Sequence, residues 1–134
     1  MEKKMFKGLG RRKSSVAHVI LSHSTNDANK ITVNGKTPSK FFPNELIIQD
    51  MMQPLALLKD EKGFFDIKAK VIGGGFTGQA GAIRLAITRA LVEYDKNLKK
   101  IFKAVKLTTQ DRRVKERKKF GKYGARRSHQ FVKR

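Results

Sequence analysis

The apolar positions along the chain follow two periods, one of two residues and one close to 3.6, which predict strands and helices respectively. Residues 14–21 and 30–33 are short runs rich in β-branched and apolar side chains, and they predict two strands paired as a hairpin. Residues 64–72 alternate between apolar and polar positions, so we expect a third strand there, half-exposed and with a basic outer row.

Helical spacing of apolar residues predicts helices between and after these strands. Asn44 is a favourable N-cap for a helix through residue 58, within which Pro54 predicts a kink or a break. Residues 77–94 have the clearest helical pattern, and residues 98–103 predict a weaker helical turn.

This order of elements predicts one small α+β domain, with a mainly antiparallel sheet covered by helices. A chain of 134 residues is long enough for one compact domain and short for two. We interpret residues 14–110 as the globular domain and residues 1–13 as a basic N-terminal arm. The apolar period ends at residue 111, so residues 111–134 are expected to form an extended, irregular C-terminal tail.

Charge is distributed unevenly between these three parts. The formal net charge is +20, and cysteine is absent, which excludes disulfides and thiolate metal sites. The arm has six basic residues and one acidic residue, and the tail has eleven basic and two acidic, so these two segments carry most of the excess. Such a charge predicts a polyanionic partner. No apolar run approaches the roughly 18 residues of a membrane span, which favours nucleic acid over a membrane.

A glycine motif joins the third strand to the long helix. Residues 73–78 (GGGFTG) match the G-x-G-x-x-G fingerprint of dinucleotide-binding folds. The segment after the helix is basic, however, and does not look like the second buried parallel strand that such a fold requires. We therefore interpret Gly73, Gly74 and Gly75 as an unshielded helix N-terminus that can lie against a nucleic-acid phosphate. A small nucleotide-binding enzyme is the alternative, which cofactor titration would test.

The remaining candidate contacts with nucleic acid are basic side chains. In the arm, Gly8 and Gly10 are expected to let the backbone follow a phosphate path. On the long helix, Arg84 and Arg89 lie outside the apolar stripe formed by Ala80, Ile83, Ile87, Leu91 and Tyr94. Phe120, Tyr123 and Phe131 interleave with basic residues in the tail; aromatic side chains stack on unpaired bases, which favours RNA over duplex DNA. The basic candidates are Lys7, Arg11, Arg12, Lys13, Arg84, Arg89, Arg112, Arg113, Arg117, Lys118, Lys119, Lys122, Arg126 and Arg127.

Catalytic constellations are missing from the sequence. The three histidines show no metal-ligand spacing, and His18 is expected to be a packed or half-buried residue of its strand. No serine occupies a nucleophile elbow. We therefore predict that the chain is not an enzyme and expect neither a cofactor nor a metal. A DNA-compacting basic protein is a second alternative; it would bind any duplex with strong salt dependence.

Three collinear stretches together resemble a known family. They are residues 10–15 (GRRKSS), residues 73–91 with GGG, GQAGAIR and TRAL, and residues 116–134 with ERKK, ARR, QF and the terminal KR. From about Lys7 to the last residue the chain resembles the bacterial form of the small-subunit ribosomal protein nine family. The resemblance implies a structural role in translation. It also implies a four-stranded sheet with two helices packed on one face and a left-handed βαβ crossover. The fourth strand is then expected near residues 105–109 or from a split of the first strand.

The same resemblance implies the partners. These are the 3′ major domain of small-subunit ribosomal RNA, neighbouring proteins of the subunit head, and the anticodon stem-loop of P-site tRNA. Lys133 and Arg134 match the tRNA-contacting end of the family's tail, whereas Ser128 and His129 depart from its usual basic residue and proline. The lack of a clear transit segment favours a cytoplasmic bacterial ribosome over an organellar one. Neither a membrane nor a small-molecule substrate is expected.

Overall fold

The computed structural model describes residues 4–24, 29–58, 65–110, 113, 115–128 and 130. The strands are β1 (Met5–Arg12), β2 (Ser15–His23), β3 (Lys30–Val33) and β4 (Phe65–Ile72). The helices are α1 (Pro38–Phe41), α2 (Glu45–Met51), α3 (Gln53–Leu57), α4 (Phe76–Tyr94) and α5 (Leu98–Ala104). Within these ranges, no helix has the length and apolar character needed to cross a membrane.

The strands form one sheet in the order β1-β2-β4-β3. β2 pairs with both β1 and β4 in antiparallel fashion, and β3 pairs with β4 in parallel. The buried side chains alternate along every strand, and all the helices pack on the face to which these side chains point. The predicted α+β fold with a mainly antiparallel sheet is confirmed, whereas the left-handedness of the β3-to-β4 crossover stays a prediction.

The hairpin predicted between β2 and β3 is wrong. β3 lies instead at the far edge of the sheet, where Ile31 is paired with Ile67 and Val33 with Ala69. Asn34 fixes this arrangement, because its side-chain amide both donates to the Val71 carbonyl (3.0 Å) and accepts from the Val71 N–H (2.9 Å). The Asn34 side chain therefore attaches the end of β3 to β4.

The fourth strand is β1, so its predicted placement near residues 105–109 or in a split first strand is wrong. Residues 5–12 of the predicted arm thus belong to the sheet. Gly8 and Gly10 alternate with exposed residues and face α4; a Cβ there would come within 2.8 Å of Ala90 N and 2.6 Å of Ala86 N respectively. These glycines allow β1 to pack directly on the helix backbone, which corrects their interpretation as a flexible phosphate path.

Helix α4 lies at the centre of the fold and is buried on most of its surface. It packs on β1, β2 and β4 with one side and on α2 and α5 with others. Ile83, Ile87 and Leu91 are fully buried, together with Phe65 of the sheet and Phe102 of α5. The predicted apolar stripe is therefore confirmed, and small residues extend the buried surface around the helix.

The other predicted helices also form. Asn44 caps α2 through its Oδ1, which accepts the Leu46 N–H at 2.9 Å. A break at Met52 separates α2 from α3, and Pro54 stands in the first turn of α3, as the sequence predicted. His18 is exposed, contrary to expectation, because its side chain points away from the helices.

Leu107 is the last residue of the buried core among those that the structure describes. The described residues of the predicted tail form no helix or strand, and an isolated bridge pairs Lys122 with Ser128. The division of the chain into arm, domain and tail at residues 13 and 110 stays a prediction. The structure adds that β1, which lies within the predicted arm, belongs to the sheet.

Candidate nucleic-acid interface

The glycine connection between β4 and α4 has a backbone that few other residues could adopt. Gly73 and Gly74 have φ of 78° and 67°, in the left-handed region that favours glycine. The Gly73 carbonyl accepts hydrogen bonds from Ser15 Oγ (2.9 Å) and Gln79 Nε2 (3.2 Å). Because Ser15 is fully buried, its hydroxyl anchors the connection to the start of β2.

The N-terminus of α4 is open to a ligand. Gly75 is its N-cap and makes no side-chain capping bond, and a Cβ added at Gly75 would meet no described atom within 4 Å. The first N–H groups of a helix have no partner within the helix and carry a partial positive charge. This end of the 19-residue helix can therefore receive an anionic group.

The turn between β1 and β2 brings two predicted site residues to this helix end. A Cβ at Gly78 would lie 3.5 Å from the Arg12 carbonyl oxygen and 3.7 Å from Lys13 Cβ. The Arg12 side chain crosses α4 over Gly81, and its Nε is buried without a hydrogen-bond partner among the described residues. Arg12 and Lys13 thus join Gly73–Gly75 in one cluster, which we call the glycine-loop site (Arg12, Lys13 and residues 73–75).

Lys7 and Arg11 lie on the other face of the sheet. Strand alternation points Phe6, Gly8 and Gly10 towards α4, so Lys7 and Arg11 are exposed on the face without helices. The N-terminal candidates therefore do not form one group: two approach the glycine loop and two do not.

Arg84 and Arg89 of α4 are both engaged within the protein. Arg84 Nη1 lies 2.7 Å from Asp50 Oδ1 of α2, and Arg89 Nη1 donates to the Leu9 carbonyl at 2.7 Å. Glu93 accepts the Lys7 N–H at 3.2 Å. Arg89 and Glu93 thus bond backbone groups along the outer edge of β1. The structure does not bring Arg84 or Arg89 to the glycine-loop site, and their assignment to RNA stays a prediction.

The described part of the tail presents basic and aromatic side chains around a small loop. Glu116 pairs with Lys119 (2.5 Å) and with Arg126 Nε (3.0 Å), and the Tyr123 N–H donates to the Arg127 carbonyl at 2.8 Å. Phe120 is fully exposed, and the Arg127 guanidinium lies 5.9 Å from the Tyr123 ring centroid.

The tail candidates are accordingly a separate group from the glycine-loop site. Most are exposed, and Lys122 is half-buried. Those within the described residues are Arg113, Arg117, Lys118, Lys119, Lys122, Arg126 and Arg127. Arg112, Lys133 and Arg134 lie outside the described residues, as do His129 and Phe131.

Sequence reasoning missed the residues that position these groups. The alternation of residues 5–12 with a period of two could have predicted β1. It is hidden because Gly8 and Gly10 occupy inward positions at which a strand usually has apolar side chains. The roles of Ser15 and Glu116 had no sequence signal, because each depends on a partner that only the fold brings close. In the part of the chain that the structure describes, no cluster of three or more His, Asp or Glu residues could hold a metal ion.

Comparison with known proteins identifies the family. The family model described as ribosomal protein S9/S16 matches residues 10–134. The chain is 64% identical to "Small ribosomal subunit protein uS9" of Mycoplasma pneumoniae and 62% identical to the protein of that name from Mycoplasma genitalium, in both cases over 134 residues and the full length of each chain. It is 57% identical to that of Malacoplasma penetrans over 129 residues, 96% of each chain. The resemblance noted from the sequence is confirmed, and the chain belongs to the ribosomal protein S9/S16 family.

Proposed function

We propose that this chain binds ribosomal RNA in the head of the small subunit and contacts the anticodon stem-loop of P-site tRNA through its C-terminal tail. As a member of its family, it is a structural constituent of the small ribosomal subunit. Its relatives are bacterial, which supports a place in a cytoplasmic bacterial ribosome beside neighbouring ribosomal proteins and the 3′ major domain of the RNA.

The observation that carries the RNA proposal is the glycine-loop site. It combines an uncapped helix N-terminus, a side-chain-free approach at Gly75 and two cationic residues on the adjacent turn. A phosphate placed there would accept backbone N–H bonds while Arg12 and Lys13 neutralise its charge.

The tail supplies the second group of contacts in this proposal. Its eleven basic residues can neutralise phosphates, and Phe120 and Tyr123 are exposed where they can stack on unpaired bases. Fully extended, 24 residues reach about 80 Å, so the tail can contact RNA far from the domain. Lys133 and Arg134 are assigned to tRNA on the strength of the family resemblance alone.

Sedimentation of a cell lysate at high salt tests the ribosomal assignment. We expect the protein at one copy per particle in the small-subunit peak, retained through the salt wash, because many phosphate contacts hold it there. Recovery in the nucleoid fraction or at the top of the gradient would instead indicate a DNA-compacting or a free cytoplasmic protein.

Truncation after Val132 tests the tRNA contact separately. Subunits carrying the truncated protein should assemble normally and hold P-site tRNA more weakly in a filter-binding assay. Lys99→Ala with Lys100→Ala is the matched control, since it removes the same charge from the exposed side of α5. Equal tRNA affinity in the truncated and control subunits would contradict the tRNA assignment without affecting the RNA proposal.

A further inference from the structure

We propose that the face of the sheet opposite the helices is a second RNA-binding surface, which receives the ribose-phosphate backbone of ribosomal RNA across β1, β2 and β4. We call it the open face. Its exposed or half-exposed residues are Met5, Lys7, Leu9, Arg11, Val16, His18, Ile20, Ser22, Lys30, Thr32, Asp66, Lys68, Lys70 and Ile72. This inference rests on the proposed function, since it assumes that the partner is ribosomal RNA, and it adds a surface that the glycine-loop site does not include.

The open face has a regular cross-strand pattern. Lys7, Ile20 and Lys68 are paired in one row across β1, β2 and β4, and Leu9, His18 and Lys70 in the next. Adjacent strands are about 4.8 Å apart, so each row places cationic and uncharged side chains side by side across roughly 10 Å. The result is a nearly continuous surface in which Lys7, Lys68 and Lys70 surround aliphatic side chains.

The apolar part of this surface is unusually exposed for a small domain. Met5 and Ile72 are 60% and 62% exposed, and Leu9 and Ile20 are 36% and 38% exposed, all on the same face. Every helix of the described chain packs on the opposite side, so this surface has no covering element there. A contiguous apolar patch rimmed by polar residues is typical of an interaction surface.

The charge of the open face indicates which kind of partner it binds. Lys7, Arg11, Lys30, Lys68 and Lys70 are the cationic residues of the open face. Asp66 is its one acidic residue among those described. The five positive charges complement the phosphates of a polyanion, and the aliphatic side chains between them suit its less polar sugars. This combination favours RNA over a protein neighbour. Phosphates would bind the lysines while riboses pack on Leu9 and Ile20.

The two RNA surfaces meet at the β1–β2 turn. Arg11 points to the open face, whereas the Arg12 side chain lies on the opposite face, over Gly81 of α4. Because consecutive strand residues point to opposite faces, this pair can bind RNA on both sides of the sheet. The domain would then be inserted between RNA segments and not merely attached to one of them.

Directed hydroxyl-radical probing tests the open face. The chain has no cysteine, so single probes can be placed by Ile20→Cys on the open face and Thr77→Cys at the start of α4, each carrying an iron chelate. In reconstituted small subunits, we expect both probes to cleave ribosomal RNA, at different nucleotides. Cleavage from position 77 with none from position 20 would overturn the open-face proposal and leave the proposed function intact. If neither the two variants nor the unmodified chain enters small subunits, the result would contradict both the open-face proposal and the proposed function.

A charge-matched pair of double variants gives an independent readout. Lys68→Ala with Lys70→Ala should weaken binding to ribosomal RNA roughly three- to tenfold and reduce the slope of log affinity against log salt by about 1 to 2. Lys99→Ala with Lys100→Ala removes the same charge from exposed positions on α5 and should have a smaller effect on both. If the two double variants have equal melting temperatures and lose equal RNA affinity, the result would contradict a specific role for the open face.

Discussion

Gly10 of β1 lies directly against the backbone of Ala82 in α4. A Cβ at position 10 would overlap the Ala82 carbonyl oxygen and come within 2.6 Å of Ala86 N. Gly8 makes the equivalent approach one turn further along the helix, to Ala86 and Ala90. Because α4 begins at the glycine-loop site, this contact fixes the position of that site relative to β1 and to the turn that carries Arg12 and Lys13.

Gly10→Ala should therefore destabilise the domain. The added methyl group meets backbone atoms, which cannot rotate away, so we expect the free energy of unfolding to fall by about 1 to 3 kcal/mol or more. Thermal denaturation measures the change. Gly75→Ser is the control, since a Cβ there meets no described atom within 4 Å and serine suits an N-cap. An unchanged melting temperature for Gly10→Ala would contradict the close packing.

Ser15→Ala should lower the free energy of unfolding by about 1 kcal/mol, because it removes a buried hydrogen bond. The loss is limited, since the Gly73 carbonyl keeps its bond from Gln79. Ser14→Ala removes a hydroxyl group from the exposed neighbouring residue and should have less than half the effect on the free energy of unfolding. Urea denaturation of the two variants distinguishes them; equal midpoints would show that the Ser15 hydroxyl does not anchor the glycine connection.

Arg84 should stabilise the domain through its ion pair with Asp50. We expect Arg84→Ala and Asp50→Asn to cost similar stability, about 1 kcal/mol each, because both break the ion pair between α4 and α2. Asp50→Asn keeps the positive charge of Arg84. If Arg84 instead binds RNA, Arg84→Ala alone will lower RNA affinity at matched stability, a difference that filter binding and thermal denaturation together detect.

Phe120→Ala should lower RNA affinity without changing stability. The ring is fully exposed and contributes little to the packing of the domain. Stacking on a base is worth about 1 to 3 kcal/mol, which corresponds to roughly a 5- to 150-fold loss of affinity. Phe120→Tyr keeps an aromatic face and should retain most of the binding. Equal affinities for the alanine variant and the unmodified chain would remove Phe120 from the proposed interface.

Much of the secondary structure was predictable because it depends on neighbours along the chain. Periodicity located β2, β4 and α4 to within a residue or two, Asn44 marked the start of α2, and Pro54 marked the break before α3. Charge and the interleaved aromatic residues indicated a nucleic-acid partner for the same reason, since both are properties of composition and spacing.

Tertiary structure decided what depends on contacts between distant segments. β1 was missed because two of its inward positions, Gly8 and Gly10, are glycines, whose role is evident only from their contact with α4. The pairing of β3 with β4 required the Asn34 side chain to reach Val71, which local turn chemistry does not reveal. Sequence thus determined most of the elements and the charge of this protein. Only the close packing of β1 on α4 brought Arg12 and Lys13 to the glycine connection, since residues separated by some 60 positions meet only in the folded chain.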